Sequence, residues 1–358
     1  MTAEPYSQKV YYSLALDPIH IGMGGYRLGE VDLTIVREPG THLPKLPGSS
    51  LEGTSRAYTA MRAQNYRRPA NPKPTYDPDT GTIQPPADDS KPEGHISCAG
   101  KGGADGSEHC GDINCPVCVT YGFTIGPRNR SFHGLAQFYD AQLLFFPVHS
   151  MVGPVWVTAA SALAAVGYAL PPAQKASGDK IRTVRGLVAH KPPRRWGLNL
   201  GWLFLELAGE DLDTAALWQG VGLPAGLEAL QNRLVLLPED LFSLVVNSNL
   251  EVRTSVSIDP ATGAAEEGAL FTYEALPRGT VLQFPVTYHD PQHYVFPTWN
   301  EAVKRVEPEP FPTDRTAAWV QTQVEKGLAL MEYLGVGGMN TRGFGRLKVL
   351  NLGAEGGK

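Results

Sequence analysis

The chain has 358 residues, more than one hydrophobic core usually organises, which implies either a large elaborated domain or a core carrying sizeable insertions. Its 42% hydrophobic and 19% charged residues are ordinary for a globular protein, while 39 glycines and 30 prolines exclude a long helical bundle. A net charge of −5 argues against a generic polyanion binder but leaves room for one locally basic groove.

The start, "MTAEPYSQKVYYS", has neither the basic opening nor the apolar segment of a secretory signal, so a cytoplasmic location is expected. "KVYYSLALDPIHIG" is rich in Tyr, Leu and Ile and predicts a first strand ending near Pro18. After a loop containing Gly22, Gly24 and Gly25, "EVDLTIVRE" predicts a second strand. Val31, Leu33 and Ile35 share one face and Asp32 and Thr34 the other, so Asp32 points away from the core. "LPGSSLEGTSRAYTAMRAQ" predicts a helix beginning at the serines. Ser49 and Glu52 have capping-box spacing, and Leu51, Thr54, Tyr58 and Met61 recur on one side. The helix start is a candidate anion site to which Lys45 and Arg56 could add charge. Residues 1 to 75 carry nine Lys/Arg against six Asp/Glu.

Residues 66–97, rich in Pro, Asp and Gly, predict an irregular excursion. "MVGPVWVTAASALAAVGYAL" is broken by Gly153 and Pro154 and rich in Ala, so it reads as a buried strand or turn entering a core helix, not a membrane span. From Lys175 to Arg195, seven basic side chains face one acid, Asp179, as a solvated loop or a phosphate-contacting groove. "LEVRTSVSIDPATGAAEEGALFTYEAL" predicts a long hairpin: Val252, Thr254, Val256 and Ile258 alternate, "DPATG" turns, and Leu270 to Tyr273 return. "GTVLQFPVTYHD" adds a strand with Leu282, Phe284, Val286 and Tyr288 on one face. A helix from Asp314 carries Val320, Val324, Leu328, Met331 and Leu334 and stops at Gly335. "GVGGMNTRGFGRLKVLNL" is a glycine turn entering a last strand, where close backbone approach and Arg342 and Arg346 would suit a phosphate, or a tight turn alone.

The order strand, helix, strand, strand, helix, strand suits an α+β fold, an elaborated ferredoxin-like sandwich. It would comprise residues 1–65, 131–250 and 277–358, with an irregular insertion at 66–130 and a long hairpin at 251–276.

All four cysteines lie in "CAGKGGADGSEHCGDINCPVC": Cys98, Cys110, Cys115 and Cys118, separated by eleven, four and two residues. The tight Cys115–Cys118 pair fits a zinc knuckle completed by a second pair, with His109 able to replace Cys98. A disulfide suits a cytoplasmic chain poorly, and a redox CxxC lacks its strand–helix context. Four protein ligands would make the zinc structural. No Ser-His-Asp order, P-loop or HExxH pattern appears; His149 and His190 read as packed or surface residues, while His20 could lie near Asp32.

"LDPIHIGMGGYRLGEVDLTIVRE", "LPGSSLEGTSRAYTAMR", "FFPVHSMVGPVWVTAASAL", the hairpin and "GGMNTRGFGRL" together resemble the RAMP superfamily. More closely they resemble the backbone subunits of type III-B CRISPR effector complexes, over about half of the chain. Residues 66–130 are the least typical part, since only some relatives carry a zinc-binding insertion. The resemblance implies a subunit that polymerises along guide RNA and pairs with other effector subunits. It also implies that the ferredoxin-like part is an RRM-like palm and that the hairpin at 251–276 is a thumb that would wedge between nucleotides of the guide–target duplex. Complementary target RNA would be cut at regular intervals with Mg²⁺ or Mn²⁺. Carried over, the catalytic acid falls on Asp32. RNA contacts fall on Lys45, Ser49, Ser50, Arg56, Arg342, Gly343 and Arg346, and thumb contacts on the hairpin around Val252 and Arg253.

One acid can suffice, because the ribose 2′-hydroxyl supplies the nucleophile and base pairing reads the sequence. Three alternatives stay open: a subunit that coats guide RNA without cutting, a repeat-processing endoribonuclease using His20 as a metal-free general base, and a metal-stapled protein-interaction module.

Overall fold

Tyr6–Ala15 becomes a strand because its apolar residues are buried on both sides: it pairs antiparallel with Val281–His289 from Tyr6↔His289 to Leu14↔Val281, and with the short strand Leu347–Val349 on its other edge. Val281–His289 pairs on its far side with Ala141–Val148, also antiparallel. This computed structural model describes residues 4–24, 31–64, 75–77, 82–84, 97–100, 109–126, 129–176, 178–188, 197–209, 211–265 and 270–353. Most of 66–97, with His190, Lys191, Arg194 and Arg195, lies outside the described residues.

In spatial order, the centre of the sheet reads Ala141–Val148, Val281–His289, Tyr6–Ala15, Leu347–Val349. Beyond Ala141–Val148 the sheet continues through Val155–Ala159, Leu234–Leu237, Lys180–Thr183, Leu203–Gly209 and Gly197–Leu200. Two of these added pairings are parallel, Val155–Ala159 with Leu234–Leu237 and Lys180–Thr183 with Leu203–Gly209, so the whole is a large mixed sheet. "MVGPVWVTAASAL" folds as expected, a buried strand Val155–Ala159 running into the short helix Ala160–Ala164.

The helix Gly48–Arg62 packs on Ala317–Leu328, which lies on the sheet. At the crossing Gly327 lets the backbones approach: a Cβ there would strike the Ser55 carbonyl. The helix expected from Asp314 to Leu334 is two pieces, Ala317–Leu328 and Met331–Leu334, joined at Ala329–Leu330 and ended by Gly335 at φ 81°. Tyr11, Tyr288, Phe284, Phe145 and Phe146 fill the core. Within it Glu325 accepts from Lys9 and Tyr11 at 2.8 Å each and from the Gly353 amide at 2.8 Å, joining first strand, last long helix and C-terminal segment.

Two hairpins stand outside the sheet. Glu251–Ser255 pairs with Phe271–Ala275, as the alternation required, and the turn forms at Asp259–Gly263, where the Asp259 carboxylate accepts from the Ala261 amide and Thr262 hydroxyl. The second, Val295–Asn300 with Arg305–Pro310, has no counterpart in the sequence reading. No helix of the described residues is long and apolar enough to cross a membrane.

Candidate functional site

The segment expected to be a second strand is not one. Residues 31–37 run extended but make only isolated bridges, Gly22↔Ile35, Leu33↔Tyr273 and Arg37↔Pro44. What holds them is the returning strand of the first hairpin. Leu33 N–H donates to the Thr272 carbonyl and Glu274 N–H to the Leu33 carbonyl, both at 3.0 Å. Ile35 N–H donates to the Glu274 carboxylate at 3.3 Å, and Arg37 places one nitrogen 2.9 and 3.0 Å from its two oxygens. This shielded pair ties the segment to the hairpin base.

Asp32 sits at the outer end of that attachment, exposed, as the alternation expected. Its Oδ2 accepts from the Thr272 amide at 2.8 Å and the Thr272 hydroxyl at 3.0 Å. These bonds, the backbone one foremost, hold its pKa below the ordinary carboxylate value. It has no ion-pair partner among the described residues, and Oδ1 has no hydrogen-bond partner among them either.

His20 grips the same strand two residues on. Its Nδ1–H donates to the Glu274 carbonyl at 2.6 Å, which leaves Nε2 as the acceptor, turned toward Gly22. The ring is buried, with 6% exposed. The glycine turn closes over His20: Gly338 N–H donates to its carbonyl at 2.9 Å and Gly345 N–H to the Pro18 carbonyl at 2.8 Å. Gly337, at φ 82°, is required because a Cβ would strike the His20 carbonyl.

Hairpin, segment and turn share a small hydrophobic cluster of their own: Tyr273, Ala275 and Phe344, flanked by Leu33, Phe271 and Met339. Arg253 lies over Phe344 at 4.5 Å and pairs with Glu251. Arg342 and Gly343 are exposed on the turn, and the Arg342 guanidinium has no partner among the described residues. Arg346 pairs with Asp17, whose pKa falls through that hydrogen bond and through the charges of Arg346, Arg278 and Arg253 nearby. On the hairpin, Val252, Val256, Ile258 and Leu270 are exposed apolar side chains.

The helix start differs from expectation. Gly48 is the first residue, Pro47 the cap, and no side chain caps it locally, so the Ser49–Glu52 capping box is not formed. Instead Asp140, 92 residues further on, accepts from the Gly48 amide at 2.8 Å. Lys45 is held between Asp140 at 2.7 Å and Glu38 at 2.8 Å, which raises its pKa and occupies its charge. Ser49 is exposed and Ser50 half-buried. Arg56 is turned inward: it donates to the carbonyls of Cys98, Tyr121 and Gly122 at 2.9, 3.1 and 2.9 Å, and its side chain is 12% exposed. Neither Lys45 nor Arg56 therefore presents the free cation expected at the helix start.

The carbonyls held by Arg56 frame the cysteines. Cys115 caps the short helix Pro116–Tyr121, and its sulfur accepts from the Cys118 amide, the knuckle geometry. The four sulfurs lie within 4.8 Å of one another. Cys98 stands 3.6 Å from Cys110, 3.9 Å from Cys115 and 3.7 Å from Cys118, and Cys110 stands 3.6 Å from Cys118. A tetrahedral ion with metal–sulfur bonds of about 2.3 Å requires sulfur separations of about 3.8 Å; a disulfide would need about 2.0 Å. Hydrogen bonds from Cys110, then from Cys118 and Cys98, favour the thiolate at Cys115. The donor set thus fits a closed four-sulfur metal site. His109 is not part of it: Nε2 lies 2.6 Å from the Gly100 carbonyl and 3.1 Å from Arg56, so Cys98 completes the set.

This lobe is not an isolated loop. Val117, Cys118 and Val119 belong to the main core, while Phe123 and Phe132 pack with Phe296 and Phe311. Arg130 donates to the carbonyls of Gly111 at 2.5 Å and Pro297 at 2.8 Å, joining the knuckle to the second hairpin.

A RAMP superfamily family model matches residues 14–348. The chain belongs to the RAMP superfamily. No curated protein sequence matches it significantly. Its fold is similar to that in the cryo-EM structure of the type III-B Cmr-beta bound to cognate target RNA, at TM-score 0.55 and 16% identity, covering 97% of this chain and 98% of that one. The apo-state Cmr-beta structure gives 0.54 and 16%, covering 96% and 97%. Oligomeric Cmr4 from Pyrococcus furiosus gives 0.50 and 16%, covering 97% and 100%. Among RAMP proteins, this chain thus shares the large mixed sheet of these structures.

Proposed function

We propose that this chain is the guide-RNA-binding backbone subunit of a type III CRISPR ribonucleoprotein, and that it cuts complementary target RNA at regular intervals. Its central strand order and antiparallel pairing, with two long helices packed together, support the reading of a ferredoxin-like palm. The similar structures include a complex bound to target RNA and an oligomer, which supports guide RNA, target RNA, further copies and other effector subunits as partners in the cytoplasm.

One observation carries the catalytic half: an exposed carboxylate with a lowered pKa is fixed to the returning strand of the thumb hairpin, next to Leu33 of the cluster that also seats the arginine-bearing glycine turn. In transesterification the 2′-oxygen bonds to phosphorus as the bond to the 5′-oxygen breaks. The 2′-hydroxyl proton leaves to a base, and the 5′-oxygen gains one from water. Asp32 is ionised at neutral pH, so its open oxygen can take that proton or ligate Mg²⁺ or Mn²⁺, which would offset phosphate charge. Arg342 and the exposed amide-rich turn around Gly343 suit backbone contacts to the guide. Exposed Val252 and its apolar neighbours suit a wedge between bases. Ser49 and Ser50 remain candidate contacts. Four thiolates at tetrahedral spacing would hold a structural Zn²⁺ that fastens the knuckle, and Arg56 sets its positive charge beside that site.

The test is an Asp32→Ala subunit assembled on guide RNA. Target binding should persist while metal-dependent cleavage disappears; cleavage at the parent rate sinks the catalytic reading and leaves a coating subunit. Cleavage that survives EDTA and is lost in His20→Ala would favour repeat processing instead, although His20 is buried with Nδ1 committed.

A further inference from the structure

Thr272 has no role in the reading so far, yet it makes more bonds to Asp32 than any other described residue. Its amide and hydroxyl both donate to Asp32 Oδ2, at 2.8 and 3.0 Å, and its hydroxyl oxygen lies 3.1 Å from the Asp32 amide, whose N–H it accepts. The pair is reciprocal: backbone and side chain of each residue address the other. Thr272 is also the second residue of the returning thumb strand, paired with Thr254 across the hairpin. Its carbonyl accepts from the Leu33 amide, so the residues on both sides of the contact are fixed as well.

Asp32 lies on a segment that makes only isolated bridges, and such a segment does not hold a carboxylate still by itself. The three bonds remove that freedom. They also differentiate the oxygens: Oδ2 is saturated by two donors, whereas Oδ1 is unpartnered among the described residues. A carboxylate used once per cut needs one oxygen anchored and one presented.

We propose that Thr272 is the positioning residue for Asp32, fixing the acid in register with the thumb so that its open oxygen meets the ribonucleotide displaced by that same hairpin. This rests on the reading that Asp32 serves cleavage. Cutting at regular intervals then has a mechanical source, since the acid is bonded to the hairpin that carries the wedge and the two cannot drift apart along the target. Threonine suits the task because its hydroxyl both donates and accepts, with a stiff β-branched χ1. Serine would keep all three bonds with less rigidity, and valine would keep the shape and the amide bond but lose both hydroxyl bonds.

The experiment uses guide-loaded assemblies carrying the parent chain, Thr272→Val, Thr272→Ser or Asp32→Ala. Single-turnover cleavage of a complementary RNA is measured across pH, with target affinity measured in parallel. Thr272→Val is expected to cleave roughly ten- to a hundred-fold more slowly at unchanged affinity, the scale of a misplaced catalytic group. Its acid limb should move to higher pH, because one of the donors that favours the Asp32 carboxylate is gone. Thr272→Ser should recover most of the rate. Thr272→Val cleaving at the parent rate, or losing rate only in proportion to affinity, overturns the proposal. If Asp32→Ala itself cleaves normally, the reading beneath the proposal falls instead, so the two failures are distinguishable.

Discussion

Asp140 shows how a residue far away in sequence can reassign the charges at a site. Lys45 and Arg56 lie near a helix start and read as phosphate contacts, but no local pattern reveals that Asp140, just before strand Ala141–Val148, arrives to cap Gly48 and neutralise Lys45. Burial alone would raise the Asp140 pKa; the Lys45 bond and the Gly48 amide outweigh it and lower the value from 3.8. A carboxylate whose pKa falls on folding contributes stability above its unfolded pKa and loses it as pH drops through the lower folded one. Asp140→Asn should therefore cost about 0.5–1 kcal/mol at pH 7, a capping-sized loss tempered by solvent screening. The gap in urea midpoint between variant and parent should narrow steadily below pH 4; a gap independent of pH would mean that the charge contributes nothing. Asp32 was legible by contrast, because its exposure follows from strand-like alternation even where the strand itself does not form.

Among the elements, the hairpin of Glu251–Ser255 and Phe271–Ala275, the last long helix and the cysteine cluster could be read because each carries a local signature: alternation with a turn, helical periodicity, and a tight CxxC pair. The second hairpin could not. Pro297, Pro308 and Pro310 argue against a strand in any local reading, and only a two-stranded ribbon with free outer edges tolerates them. Nor does spacing reveal that this ribbon packs on the knuckle through Arg130 and the Phe123, Phe132, Phe296 and Phe311 cluster. If the four sulfurs hold Zn²⁺, one ion per chain should appear in native mass spectra of the purified protein. Cys118→Ser should lose it and lower the thermal midpoint by at least about 5 °C, given the several kcal/mol such a closed site contributes. Hydrogen exchange should then rise in residues 109–126 and also across 295–300, well away in sequence. Protection of the hairpin that survives metal loss would mean that the two are merely neighbours.

For the whole molecule, the question is how a chain of net charge −5 would grip the guide RNA proposed for it. Much of its positive charge is internally spent: Lys9 on Glu325, Arg37 on Glu274, Lys45 on two acids, Arg182 on Asp211, Arg346 on Asp17. Near the glycine turn Arg342 is exposed and unpaired among the described residues, so its charge is open to a phosphate. Counterion release converts this difference into a measurable slope, because each phosphate neutralised by a free cation contributes about 0.7 to 0.9 to the dependence of log K on log salt. A cation already paired with carboxylates displaces fewer ions and contributes less. Arg342→Ala should thus weaken guide binding uniformly across sequences and flatten the slope by about one phosphate equivalent. Lys45→Ala, which removes a charge already balanced by Glu38 and Asp140, should leave the slope nearly unchanged while lowering stability. Titrations of each variant with a fixed guide between about 50 and 200 mM salt separate the two outcomes. Equal slopes for both variants would show that the basic groove lies elsewhere, at the helix start or along the stretch from Lys175, and would detach the guide from the turn that closes over His20.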